Sequence, residues 1–223
     1  MTITRTLRNL AATAAIAALP AVAAAQDWDG FYGGLTLGYT THDATHSFSN
    51  GVLGGGSDPD GVLYGGFAGY AFQSGSTVYG AEIGLEGSNA SGTYASIGSS
   101  GKSELNWQGT VRGVLGYATA LGTRPALFYG ALGYSYGDFD FRGGPPPAGF
   151  VGNGYSDELD GWTVAVGLDT RVSAMTSLRV EYAYTDYGTA RSNLVPGFPG
   201  VIMPVSVEQH ALRVGLRMDL GPK

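Results

Sequence analysis

Eight times along this chain, apolar side chains recur at every second position for about ten residues. That period belongs to β-strands with one face against an apolar medium and the other against something wetter. In Leu178–Tyr184, Leu178, Val180, Tyr182 and Tyr184 oppose Arg179, Glu181 and Ala183. In Ala211–Leu220, Leu212, Val214, Leu216, Met218 and Leu220 oppose Arg213, Gly215 and Arg217. Trp162–Leu168 sets Trp162, Val164, Val166 and Leu168 against Thr163, Ala165, Gly167 and then Asp169. Thr77–Leu85 sets Tyr79, Ala81, Ile83 and Leu85 against Glu82, Gly84 and, just beyond, Glu86. Leu105–Tyr117 reads as Leu105, Trp107, Val111, Leu115 and Tyr117 against Asn106, Gln108, Thr110 and Arg112. Phe31–Tyr39 and Ala126–Tyr136 repeat the pattern with Phe31, Leu35, Leu37 and Tyr39, and with Phe128, Leu132, Tyr134 and Tyr136. Val62–Phe72 leaves its facing open, because both of its sides carry small and aromatic residues.

The charged positions decide which medium lies on which side. A guanidinium turned toward hydrocarbon costs roughly 2–4 kcal/mol near a bilayer midplane. Arg112, opposite Val111 and Leu115 in parity, therefore faces an enclosed lumen if the apolar face meets lipid. The same parity turns Glu82, Glu86, Asp169, Arg179, Glu181, Arg213 and Arg217 inward. These acids and bases nearly balance, which predicts an ion-pair network filling the interior. A one-residue slip would expose all of them at once, so the register is strongly specified.

The connections alternate in length. Short links lie at "QSGS", "ALGTR" and "SAMT", whereas Thr40–Gly61, Gly87–Ser103, Gly137–Gly161 and Gly188–Pro204 are several times longer and rich in Gly, Ser, Asp and Pro. Short periplasmic turns and long external loops are the habit of outer-membrane barrels. The fold predicted is all-β: an eight-stranded antiparallel up-and-down transmembrane β-barrel, both ends of its mature chain in the periplasm. Composition agrees, with 38 Gly and 14 Tyr in 223 residues and only 13% charged.

Residues 1–25 read as a signal peptide and 26–223 as the barrel domain. Arg5 and Arg8 precede an apolar run from Leu10 to Leu19, then Pro20 and the small-residue pattern Ala23-Ala24-Ala25 before Gln26. That run is shorter than the ~20 residues a spanning helix needs. Removing the two arginines leaves ten basic against 18 acidic residues, a charge of −8. Such acidity argues against nucleic acid as a partner, and the absence of cysteine excludes disulfides and thiolate metal sites.

The segments "WDGFYGGLTLGY", "YGAEIGLEGS", "GTVRGVLGYA", "FYGALGYSYG", "GWTVAVGLDTRV", "SLRVEYAYTDYG" and "HALRVGLRM" together resemble the small OmpA-like outer-membrane barrels, in particular the porin-like surface-antigen barrels of Gram-negative bacteria. The resemblance implies location in the outer membrane among lipid and lipopolysaccharide, with assembly by the barrel-insertion machinery. It also implies a closing aromatic residue, where this chain has Leu220 followed by Gly-Pro-Lys.

An eight-stranded interior is just wide enough for side chains or one small ligand. The principal expectation is a structural surface component whose four long loops meet the exterior and offer a possible surface partner its contact. A narrow channel for small solutes or ions and a surface adhesin are the alternatives. A soluble lipocalin-like carrier would need the apolar face inside, the inverse of this pattern.

No catalytic, cofactor-binding or metal residues are expected, and no enzyme. His42, Asp43, His46 and Ser47 cluster in sequence, but two histidines four apart share a metal on a helix, and nothing here predicts one. They read as solvated loop residues, and His210 as a residue near a membrane interface. Asp43, Asp58, Asp60, Asp138, Asp140, Asp157, Glu158, Asp160 and Asp186 read as an acidic loop surface. Divalent-cation bridging to lipopolysaccharide and adhesion to a basic partner are the other readings. "GGPPPAG" at Gly143–Gly149 reads as a stiff loop tip. Tyr32, Tyr39, Tyr64, Tyr70, Tyr117, Tyr182 and Tyr184 read as girdle or wall aromatics.

Overall fold

The structure, a computed structural model, describes residues 27–47, 53–96, 99–143, 154–192 and 203–221. The segment read as a signal peptide, most of the Gly143–Gly149 tract, the final Pro-Lys and residues 48–52, 97–98 and 193–202 lie outside them. The described residues form ten strands: β1 (Gly30–Ser47), β2 (Leu53–Ser57), β3 (Asp60–Ser74), β4 (Thr77–Ser88), β5 (Ser91–Ser96), β6 (Ser99–Leu121), β7 (Arg124–Gly143), β8 (Gly154–Arg171), β9 (Thr176–Ser192) and β10 (Met203–Asp219). Eight of them close a ring in the order β1, β3, β4, β6, β7, β8, β9, β10, with β10 returning to β1, and every pairing is antiparallel. Closure removes the edges that an open sheet would leave to solvent or lipid. The short β2 and β5 add to β1 and β6 at the loop end.

The outer face carries the apolar alternation. Leu35, Leu37, Ile83, Leu85, Val111, Leu115, Leu132, Val166, Val180, Val214 and Leu216 all stand exposed on it. Aromatics bound the band on both sides. Phe31, Tyr70, Phe72 and Tyr79 pack in a row at the short-turn end; Trp107 with Tyr136, and Trp162 with Tyr184, lie at the loop end. The facing of β3 resolves with Val62, Tyr64 and Phe72 outward and Leu63, Phe67 and Ala71 inward. Of the seven tyrosines read as girdle or wall, Tyr32 departs: it is buried inside. Two short turns are closed by Gly75 and Gly122, at φ 61° and 63°, a region glycine enters without Cβ strain.

Two expectations are corrected. Leu105 faces inward, because β6 and β7 shift register between Leu105 and Trp107. The β-bulge at Asn106 inserts one residue and reverses parity above it. The strands also run far into segments read as loops, β6 reaching 23 residues where about 9–11 span a bilayer. The extension has its own core: Leu63, Leu105, Phe139, Leu159, Tyr187 and Val207 pack inside the barrel beyond the outer aromatics. That buried area supports hydrogen-bonded ladders in stretches whose Gly and Asp content disfavours strand.

Candidate functional site

Period-two geometry points the eight sequence-selected charges into the lumen, and the structure brings them together as one chain of alternating sign. Arg213 holds Glu86 at 2.8 Å and approaches Glu181 at 3.5 Å. Arg112 reaches Glu181 at 2.6 Å and Glu82 at 2.5 Å. Arg179 binds Glu82 and Asp169, each at 2.9 Å, and Arg217 meets Asp169 at 3.3 Å. Four carboxylates thus alternate with four guanidinium groups, so the lumen carries no net charge from this set. Several of the pairs are cross-strand neighbours: Glu82 with Arg112, Asp169 with Arg179, Glu181 with Arg213. The ladder therefore sets the spacing at which the charges meet.

Neutral groups satisfy much of the remaining hydrogen-bonding capacity. The Tyr32 hydroxyl donates to Glu82 and that of Tyr129 to Glu181. Gln108 and Thr36 donate to Glu86. Aromatic faces receive the guanidinium planes, Arg179 over Phe67 at 4.1 Å and Arg217 over Tyr32 at 3.8 Å. Glycines make room for the lumen rings: a Cβ on Gly34 would stand 2.4 Å from the Phe67 ring, one on Gly69 2.6 Å from Tyr32, and one on Gly167 2.4 Å from Tyr129. Among the charges the free space is a cavity of about 30 Å³ bordered by Glu82, Arg112, Arg179, Glu181 and Arg213. It has room for one or two waters.

Two members were missed. Arg171 pairs with Asp219 at 2.6 Å, and Asp219 lies 3.6 Å from Arg217, so the chain continues to the short-turn end. There the guanidinium groups of Arg171 and Arg217 lie over the Trp28 ring, 4.2 and 5.1 Å from its centroid. Parity would have found both, since Arg171 follows Asp169 by two and Asp219 follows Arg217 by two. Above the network, Gln108, Gln209 and Tyr187 hydrogen-bond one another. The apolar core of Leu105, Phe139 and Leu159 then closes the loop end.

The histidine cluster separates. His42 points inward, where its backbone N–H and ring Nδ1 both meet the Pro59 carbonyl and its ring stands edge-on to Phe139. It lies three residues beyond Tyr39, outside the apolar band. Burial pushes its ring down to about 4, against the Pro59 hydrogen bond and with the help of nearby His210. Asp43 is on the opposite face, and the side chains of His46 and Ser47 lie outside the described residues. Several acids read as loop residues instead sit on strand extensions. Asp60 and Asp160 accept from the girdle hydroxyls of Tyr39 and Tyr134, and Asn106 of the bulge donates to Asp138 and Asp140.

Comparison with known proteins agrees with this architecture. Residues 10–218 match the family described as outer membrane protein beta-barrel domain. The chain is 33% identical over 208 residues to the 31 kDa outer-membrane immunogenic protein of Brucella melitensis, covering 85% of this chain and 82% of that one. It is 33% identical over 178 residues to the 22 kDa outer membrane protein of Rhizobium leguminosarum bv. viciae, covering 78% and 71%. Among solved structures, the outer membrane protein OprG of Pseudomonas aeruginosa matches with a TM-score of 0.54 at 17% identity, over 86% of this chain and 97% of that one, a likeness of fold. The chain belongs to the outer membrane protein β-barrel family, and its place is the outer membrane.

Proposed function

We propose that this protein is a structural surface component of the outer membrane, exported by the signal peptide of residues 1–25 and inserted by the barrel-assembly machinery. The long connections face outward, the short turns and both chain ends the periplasm. The observation that carries this reading is the continuous alternation from Glu86 through Arg213, Glu181, Arg112, Glu82, Arg179 and Asp169 to Arg217. Buried charges held by two or more partners each act as a rigid filling that fixes register, and a cavity of about 30 Å³ is far from a solute path. The name of the Brucella relative, an immunogenic protein, supports external loops open to antibody, with lipopolysaccharide and a surface partner as their neighbours.

The test is conductance of the refolded mature chain in planar bilayers, with heat-modifiable gel mobility as the folding control. A folded and electrically silent barrel is expected. Stable ion-selective openings that change when Arg112 and Arg179 are neutralised together would replace this reading with a narrow channel.

A further inference from the structure

We propose that Asp43, Glu208 and His210 form a binding site for a zinc-class divalent metal on the outer face of the barrel, at its loop-side rim. Asp43 and Glu208 stand directly opposite each other on β1 and β10. Both share the outward parity of Tyr39 and Leu212. Like charges so placed repel across a strand pair, and no Lys or Arg among the described residues ion-pairs with either. His210 lies two residues from Glu208 on the same face. One ligand atom from each of the three side chains falls within 4.8 Å of the others, so small rotamer adjustments bring all three to a common ion at about 2.0–2.2 Å.

The surroundings hold the donors in place. His210 packs against Tyr182 and Tyr184 with ring centroids 6.1 and 5.2 Å away. Its Nδ1 is 2.7 Å from the Tyr182 hydroxyl. With Nδ1–H donating to that oxygen, Nε2 keeps its lone pair for a metal, the arrangement that orients ligating histidines generally. Tyr184 stands directly opposite His210 across β9 and β10. One imidazole and two carboxylates favour zinc and its neighbours over calcium or magnesium, which take oxygen ligands. Three protein ligands leave coordination positions open toward the exterior. His42 takes no part, since it points to the other face. The site is independent of whether the barrel conducts.

The test is a calorimetric zinc titration of the full mature chain refolded in lipopolysaccharide-free micelles, each variant first checked for heat-modifiable mobility. One zinc per barrel is expected. His210→Ala and Asp43→Asn each weaken binding at least tenfold, Tyr182→Phe weakens it about tenfold, and His46→Ala leaves it unchanged. No saturable binding, binding that survives His210→Ala, or binding lost in His46→Ala overturns the site. Zinc-edge absorption of the wild-type protein decides even if a variant does not fold. A single imidazole nitrogen in an oxygen shell supports the assignment, and two or more imidazoles overturn it.

Discussion

Arg179 and Asp169 face each other directly across β9 and β8 and meet as a fork, Nε to Oδ1 at 2.9 Å and Nη2 to Oδ2 at 3.0 Å. Both are almost fully buried, at 1% and 0% exposure. Breaking a buried pair by removing one partner leaves an uncompensated charge and costs ~3–5 kcal/mol. Arg179→Met is therefore expected to lower unfolding stability in micelles by that order. Arg179→Lys recovers only part of it, because an ammonium cannot reproduce the fork. Urea unfolding followed by tryptophan fluorescence measures both, and equal stability of Arg179→Met and wild type would show that the network does not fix the fold.

Gly167 and Tyr129 form a second coupled pair. A methyl group on Gly167 meets the Tyr129 ring at 2.4 Å, so Gly167→Ala displaces the ring and its hydrogen bond to Glu181. Overpacking of this kind costs ~1–3 kcal/mol. In a Tyr129→Leu background the same substitution is expected to cost only a few tenths, a non-additivity that a double-mutant cycle reads directly. Additive effects would mean that the glycine is there for another reason.

What the sequence made legible followed from parity. Arg112, Glu82 and the other six charges could be assigned to the lumen from their neighbours alone, because every alternative turned a charge into lipid. Their pairing into one alternating chain needed the closed ring, since Arg112 and Glu181 are 69 residues apart and only the β6 to β9 geometry brings them together. Leu105 escaped because a bulge is invisible to a period-two count, and Phe139, Leu159 and Val207 escaped because Gly- and Asp-rich flanks mimic loops. Asp43, Glu208 and His210 escaped for a third reason: two strands distant in sequence become neighbours where the barrel closes.

His42 makes the loop-end extension sensitive to acid. Its ring is held down to about 4 by burial first, against an ordinary value of 6.5. Between those values the unfolded chain takes up a proton that the folded chain refuses, so stability falls as pH drops from above 6.5 toward 4. From pH 7 to pH 5 the loss attributable to this residue is about 2 kcal/mol. Urea midpoints of wild type and His42→Gln at the two pH values isolate it, because the carboxylates titrate in both. The expected result is a shallower pH dependence in the variant; parallel curves would place the imidazole in water.

Val111 and Arg112 are adjacent, yet they live in different media: Val111 is 62% exposed on the outer face, between Ile83 and Tyr134 on the flanking strands, while Arg112 binds Glu82 and Glu181 inside. An arginine at the first position must be carried into hydrocarbon without a partner, at about 2–4 kcal/mol near the midplane. Val111→Arg is therefore expected to lose that much stability when folded into phospholipid vesicles. The loss should shrink in detergent micelles, where the guanidinium reaches water more easily. The comparison matters because lumen and lipid assignments rest on one register: a Val111→Arg barrel as stable in vesicles as the wild type would require every strand to be turned over, and the ion-pair chain with it.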